Sequence, residues 1–265
     1  MGRTQYLKIS LCIIILLLIS LGPYSSFIPF AADISSSDKP HSIIWSFIQE
    51  NFIYIKYLIM ALCVISIPSF KYSFAPVFLL NLLFLAFNWF CSIDSPGGLY
   101  NYNTHINFFM SGVSLALIIY HLKPSLEQKV NDRLIQFCKC YVLTFYLQSG
   151  LSKLIFAGTA WLLSGRTAWV FALEMGTNIG RILANYPVIF SIGSFLIVAF
   201  EILIAPLYLI GFHRKYLIIG AITLHLSVFL VMGISFWHMW LLYPVIFYDD
   251  LFKKERFKQS LRRNT

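Results

Sequence analysis

The residues able to do chemistry are ionisable side chains set inside apolar stretches: Lys153 in YLQSGLSKL, Glu201 in VAFEILIAP, His225 in ITLHLSVFLVMG, His105 in YNYNTHINFF and His238 in WHMW. An ionisable group among apolar neighbours is costly to keep, so each marks a candidate working site. A desolvated lysine becomes a usable base or nucleophile, because burial disfavours the charged form of an amine. A histidine beside it can carry the proton onward. A carboxylate beside it does the opposite and holds an ammonium charged. Each residue also has a structural reading. Lys153 can snorkel to an interface, and Glu201 can pair with Arg214, Lys153 or a histidine. His225 can bond a carbonyl between helices, His105 can be an ordinary loop residue, and His238 can sit at an interface among tryptophans.

Ser149 lies four residues before Lys153, so a helix puts hydroxyl and amine on one face. That spacing permits a Ser–Lys dyad of the acyl-transfer kind. It equally lets Ser149-Gly150 pass close to another helix, which is the expectation adopted. No HxxH or HExxH spacing occurs, and His105, His225 and His238 come from different segments, so no metal site is expected. The five cysteines, Cys12, Cys63, Cys91, Cys138 and Cys140, are odd in number and irregular in spacing, which argues against a disulfide framework. Cys138-Lys139-Cys140 is too tight for a zinc knuckle and reads as small residues on a helix.

The elements that must carry these residues follow from composition. Hydrophobic residues make up 58% of the 265-residue chain, charged residues 12%, and mean hydropathy is +0.75. A soluble domain carries about 25% charged residues. In water so apolar a surface would aggregate, whereas in a bilayer it faces lipid. The expected fold is therefore all-α, a polytopic transmembrane helical bundle of about eight spans. They are read at Ile9–Phe30, Phe52–Ile67, Ser73–Phe90, Ile106–His121, Leu134–Phe156, Val188–Gly211, Tyr216–Phe236 and Met239–Phe247. The last is short for a crossing of roughly 20 residues. An amphipathic piece around Ile43–Glu50 is expected in the interface. Arg3 and Lys8 before the run Ile9–Leu21 resemble a signal peptide, but no clear small-x-small site follows at once, so a retained first span is expected.

The net charge of +9 is informative through its distribution. With the N-terminus inside, Arg3, Lys8, Lys71, Lys123, Lys129, Arg133, Arg214, Lys215 and the tail KKERFKQSLRR fall on the cytoplasmic side. The outer loops hold only Lys39, Arg166 and Arg181. Eight spans with N and C termini cytoplasmic satisfy this at every loop, and removing one span breaks it. The basic tail, residues 251–265, would lie against anionic lipid. Trp45, Trp89, Trp161, Trp169, Trp237 and Trp240 all fall near the outer boundary, as an aromatic belt would. Base scattered over short loops and ends is not the groove of a nucleic-acid binder, so no nucleic-acid partner is expected. The longest outer segment, Gly158–Pro187, is expected to lie in the outer interface or to cap a cavity, with Trp161, Leu162, Leu163, Val170, Phe171 and Leu173 as its apolar face.

The string YLQSGLSKL followed by Trp161 and Gly165 resembles the pattern Tyr-x-x-(Ser/Ala)-Gly-x-x-Lys-Leu…Trp…Gly of the HTTM family, the transmembrane region shared with vitamin K-dependent gamma-carboxylase. NTHINFFMSGVSLAL upstream resembles that family's histidine-containing span start. Glu201, His213-Arg214 and LHLSVFLVMGISF downstream resemble its second block. The resemblance runs roughly from Leu99 to Asp250, within a transmembrane domain taken as residues 1–250. It implies Lys153 as the base that deprotonates reduced vitamin K or another quinone, with His105 as partner, in a lipid-accessible cavity opening outward. Glu201, His225, His238 and Trp161 are the expected substrate or proton-relay residues. The carboxylase's large non-cytoplasmic domain has no counterpart after the last span here, which sets the chain apart from carboxylation of a docked protein. In size it is similar to short bacterial SdpB-like members, which accompany secreted antimicrobial peptides and mature the toxin. That resemblance implies a multi-pass protein of the bacterial cytoplasmic membrane with a small secreted peptide as partner.

Three functions are open at this point. The first is a membrane-embedded enzyme or maturation factor acting at the non-cytoplasmic face on a secreted peptide or a quinone-like substrate. The second is a non-catalytic accessory or immunity protein that binds a peptide toxin. The third is a proton-coupled transporter with Glu201 and His225 as relay, against which the lack of an inverted repeat counts.

Overall fold

The computed structural model describes residues 2–21, 47, 50–93, 99–156, 158, 163–174, 176–234 and 237–252, the side chains of 21, 88–93 and 99–104 excepted. No strand occurs among the described residues. The helices are α1 (Arg3–Leu21), α2 (Phe52–Ser66), α3 (Ala75–Ile93) and α4 (Leu99–Leu122). A 3-10 turn at Pro124–Leu126 leads into α5 (Glu127–Phe156). There follow α6 (Arg166–Glu174), α7 (Asn178–Leu183), α8 (Pro187–Leu209), α9 (Arg214–Met232), α10 (Trp237–Ile246) and α11 (Tyr248–Phe252).

Every apolar stretch read from the sequence overlaps one of these helices. Among the described residues, four stretches are long and apolar enough to cross a membrane: Arg3–Ser20, His105–Leu122, Pro187–Leu209 and Arg214–Met232. Phe52–Ser66 and Ala75–Phe87 are shorter apolar stretches. The 30-residue α5 is long enough, but Lys139, Gln148, Ser149, Ser152 and Lys153 interrupt its apolar run. At 10 residues α10 stays short. Trp45, Trp161 and the tail from 253 onward lie outside the described residues, as does the Ile43–Glu50 piece apart from Phe47 and Glu50.

The chain divides into two compact units, Met1–Gln136 and Phe137–Thr265. In the first, α1 packs on α2 and α4, α2 on α3, and α3 on α4. Leu7, Leu11, Ile14, Ile15, Leu18 and Ile19 are all buried, a wide face of α1, while Tyr6 and Ile13 on the other side are exposed. A helix apolar all round is either a core helix or a membrane span. On α3, Val77, Leu80, Phe84 and Phe87 turn inward at helical spacing, while Phe78, Leu79, Leu82 and Leu85 are exposed. An outer face as apolar as the inner one is suited to lipid rather than water.

One end of this unit is polar. The Thr4 amide donates to Asn131 Oδ1 (3.2 Å) and the two side chains also bond, which caps the start of α1 from α5. Thr4 Oγ1 lies 2.9 Å from the Tyr120 hydroxyl. Lys8 is 1% exposed, and its ammonium donates to Ser69 O (2.9 Å) and Ser69 Oγ (3.0 Å) in the α2–α3 turn. Lys71, in the same turn, meets Glu127 at 2.6 Å. This hydrogen bond raises the Lys71 pKa above its ordinary value. The α1 start, the α2–α3 turn and the α4–α5 turn thus share one end, and they carry the bases expected on one side. Lys8 differs from the expectation: it is a buried donor that ties α1 to the turn, not a solvated flanking charge.

In the second unit, α8 and α9 pack together, α6 packs on α8 and α9, α7 on α9, and α11 on α9 and α10. α8 is inverted relative to a soluble helix. It buries Ser194, Glu201 and Tyr208 and exposes Val188, Ile192, Phe195, Leu196 and Leu203. The two short helices of the Gly158–Pro187 segment lie against the start of α8 and the end of α9. Thr177 caps α7, accepting from Gly180 N (3.2 Å), and donates Oγ1 to Leu230 O (2.5 Å). Trp169 Nε1 donates to Ala184 O (2.7 Å). The packed face of α6 is Ala168, Trp169 and Ala172, against Ala184, Phe190 and Val231. The expected face differs, for Leu163 and Leu173 are exposed. The chain approaches α8 closely at the start of α6: a Cβ on Gly165, at φ +56°, would lie 2.3 Å from the Phe190 carbonyl carbon.

Gly165→Ala is therefore expected to destabilise the second unit by more than about 1 kcal/mol. Gly193→Ala, where a Cβ meets nothing within 4 Å, should be neutral or stabilising. Apparent melting temperatures in detergent check both.

Candidate functional site

α5 positions the site. Lys139, Tyr146 and Lys153 recur every seventh residue, so they share one face at intervals of about 10 Å along the axis. Ser149 and Gly150 lie between the last two on the same face. α8 has a matching row: Ser194, Glu201 and Tyr208 are also spaced by seven and all buried. Gly150 lets α5 reach α8, because a Cβ there would stand 2.8 Å from Ile202 Cγ1 and 3.0 Å from Glu201 Cβ. The Ser149-Gly150 pair is thus a close-packing step, as the sequence implied.

At that step Lys153 Nζ contacts both carboxylate oxygens of Glu201, at 2.5 and 2.6 Å. Ser149 Oγ donates to Glu201 Oε1 (3.1 Å) and accepts from Lys153 Nζ (3.1 Å). The Glu201 side chain is 7% exposed and that of Lys153 26%. Two charges removed from water hold together only with close geometry and further hydrogen bonds, and this cluster supplies both. Lys153 does not snorkel away; its ammonium turns inward onto the carboxylate. Ser149 acts as a third leg of the pair, with its proton directed at Glu201.

Two turns back along α5, three buried groups converge. Tyr146 Oη lies 2.7 Å from His225 Nε2 and 2.6 Å from Tyr243 Oη, and His225 Nε2 lies 3.3 Å from Tyr243 Oη. With Nε2 as acceptor, Tyr243 donates to Tyr146 and Tyr146 donates to His225, which satisfies each hydroxyl proton. Phe200, the neighbour of Glu201, meets the Tyr146 ring edge-on at 6.3 Å. Two turns further back, Lys139 Nζ contacts Asp250 Oδ2 at 2.5 Å, and Tyr208 Oη donates to the same oxygen at 2.8 Å.

Of the residues singled out from the sequence, the structure brings Lys153 and Glu201 into direct contact. His225 joins the tyrosines rather than a backbone carbonyl. His238 is buried on α10, edge-on to Trp237 at 6.2 Å. His105 is buried on α4, in the first unit. Trp161 lies outside the described residues. Arg214 is not the partner of Glu201: its Nε donates to Tyr208 O (3.0 Å) and its guanidinium sits 4.9 Å from the Tyr208 ring, capping α8. Among the described residues no group of three or more His, Cys, Asp or Glu is placed to hold a metal. Cys12, Cys63 and Cys138 are buried free thiols and Cys140 is exposed.

Sequence reasoning missed Tyr146, Tyr243, Lys139 and Asp250. The seven-residue spacing of Lys139, Tyr146 and Lys153 was the available signal for the α5 members. Tyr243 and Asp250 offered none, because an aromatic in α10 and an acid before a basic tail are ordinary residues.

Tyr146→Phe removes the central hydroxyl, and with it the 2.7 Å contact to His225 and the 2.6 Å contact to Tyr243. It should cost about 1–3 kcal/mol, whereas Tyr216→Phe, at a residue that is 69% exposed, should cost less than about 0.5 kcal/mol. Thermal unfolding of the two variants in the same detergent checks the difference.

No protein-family model, curated protein or solved structure matches this chain.

Proposed function

We propose that the chain is a polytopic membrane protein that crosses the bilayer about eight times with both termini on the cytoplasmic side. It performs acid–base chemistry in the outer leaflet on a quinone-like molecule or a secreted peptide. The observation that carries this reading is the Lys153–Glu201 pair, braced by Ser149 between apolar helices. The topology draws support from each unit. Lys8, Lys71 and the α4–α5 turn gather at one end of the first. Lys139, Arg214 and Asp250 gather in the second, with α6 and α7 at the opposite end of α8.

Lys153 Nζ is paired with the Glu201 carboxylate, so the two groups act as a unit. The working base is then the couple: Lys153 Nζ passes its proton to Glu201, takes one from the substrate, and stabilises the resulting anion as an ammonium. Ser149 keeps Glu201 oriented throughout. A reduced quinone supplies an acidic hydroxyl when bound, and the donor set of amine, carboxyl and hydroxyl fits such a group. The motif resemblance to HTTM proteins points to the same residue. The carboxylase-like and SdpB-like readings, with a bacterial membrane and a small peptide partner, belong to this proposal.

A second reading rests on the polar row itself. The three clusters on α5 extend over about 20 Å of helix, against a hydrocarbon core of about 30 Å, which suits a proton path. One experiment separates the two. Proteoliposomes containing reduced menaquinone and internal pyranine are followed for oxygen-dependent quinone oxidation and for internal pH. The enzyme reading expects oxidation above empty vesicles, lost by roughly 100-fold or more in Lys153→Ala and Lys153→Arg and reduced in Glu201→Gln. Unchanged oxidation in both lysine variants sinks it. Proton flux lost in Tyr146→Phe, with no quinone chemistry, selects the transport reading.

A further inference from the structure

A cavity of about 230 Å³ lies between the start of α8, the end of α9 and the short helices α6 and α7. Its walls are apolar, formed by Leu183, Ile189, Phe190, Ile197, Val228 and Val231 among others. Two serines line it. Ser227 has its hydroxyl committed to Leu224 O (2.8 Å). Ser194 is 1% exposed, and its Oγ has no hydrogen-bond partner among the described residues. A buried hydroxyl is normally satisfied, and a helical serine usually bonds a carbonyl one turn back. Gly193 beside it also lines the cavity, and a Cβ there would meet nothing within 4 Å. The wall is therefore bare beside the unpartnered serine.

We propose that this cavity is a binding site for a single slim aliphatic molecule ending in a hydroxyl or carbonyl, with Ser194 Oγ as its hydrogen-bond partner. An apolar cavity of about 150 Å³ takes a benzene ring, so this one admits roughly nine carbon atoms. The apolar walls exclude a charged headgroup, since no cation or anion lines them. A bilayer acyl tail fits the walls but ends in a methyl group that leaves Ser194 unmet, so an alcohol outcompetes an alkane of the same length. The site stands two turns from Glu201 on the buried row of α8, yet it rests on its own geometry and not on the chemistry proposed for Lys153.

The test uses the full chain in saturated phosphatidylcholine nanodiscs, with 1-octanol bearing a diazirine on carbon 3 as photolabel and adducts mapped by mass spectrometry. Adducts are expected on Ile197, Val228, Val231 or Met232. Unlabelled 1-octanol should protect these at a concentration roughly fivefold lower than n-octane. Ser194→Ala, which removes one oxygen, should make alcohol and alkane equal protectants. Gly193→Leu should abolish the cavity adducts while those on lipid-facing residues persist. Equal protection by octane in the unaltered protein means that acyl tails alone occupy the cavity and overturns the proposal. Adducts confined to Val188, Ile192 and Phe195, indifferent to Gly193→Leu, overturn it as well.

Discussion

A buried charge has to be answered from within the protein, and the second unit is arranged around that constraint. Lys153 and Glu201 answer one another at 2.5 and 2.6 Å. That contact requires α5 and α8 to run close, which Gly150 permits and any larger residue would prevent. With the two helices set at this separation, the other polar groups on the same faces fall into reach of partners. Tyr146 meets His225 and Tyr243, and Lys139 meets Asp250 and Tyr208. The seven-residue recurrence keeps Lys139, Tyr146 and Lys153 on one face of α5 and Ser194, Glu201 and Tyr208 on one face of α8.

The same constraint explains the outward surfaces. Because Glu201 and Tyr208 find partners inside the protein, α8 can expose Val188, Phe195 and Leu203 as an apolar outer face suited to lipid. The first unit works in a related way with less charge. Its core is apolar around α1, one end is tied by hydrogen bonds through Thr4, Asn131, Lys8, Ser69, Lys71 and Glu127, and Asn81 bonds Ser111 between α3 and α4.

The helices themselves were legible, because long apolar runs bounded by basic turns leave few alternatives. Lys153, Glu201 and His225 were legible one at a time, each a polar residue in an apolar run. Their pairing was not, since it depends on the register of α5 against α8, and Glu201 had Arg214 and the histidines as equal candidates. The structure resolves that choice through Gly150. Tyrosines 146 and 243 escaped notice because tyrosine is at home at any membrane depth where its hydroxyl finds a partner. Lys8 misled for the opposite reason: a lysine before an apolar run normally stays in water, but the Ser69 turn folds over it. The face of α6 was misjudged because its direction is set by the packing of Ala168, Trp169 and Ala172 on Ala184 and Phe190, which hydrophobicity alone does not specify.

The most direct measurement is a charge-reversal cycle at the pair. Lys153→Glu and Glu201→Lys each place like charges together and should lower the apparent melting temperature strongly, by a cost of about 3–5 kcal/mol. The double variant restores opposite charges between the same helices and should recover most of that loss. If the two losses simply add in the double variant, Lys153 and Glu201 do not face each other across α5 and α8, and the account is contradicted.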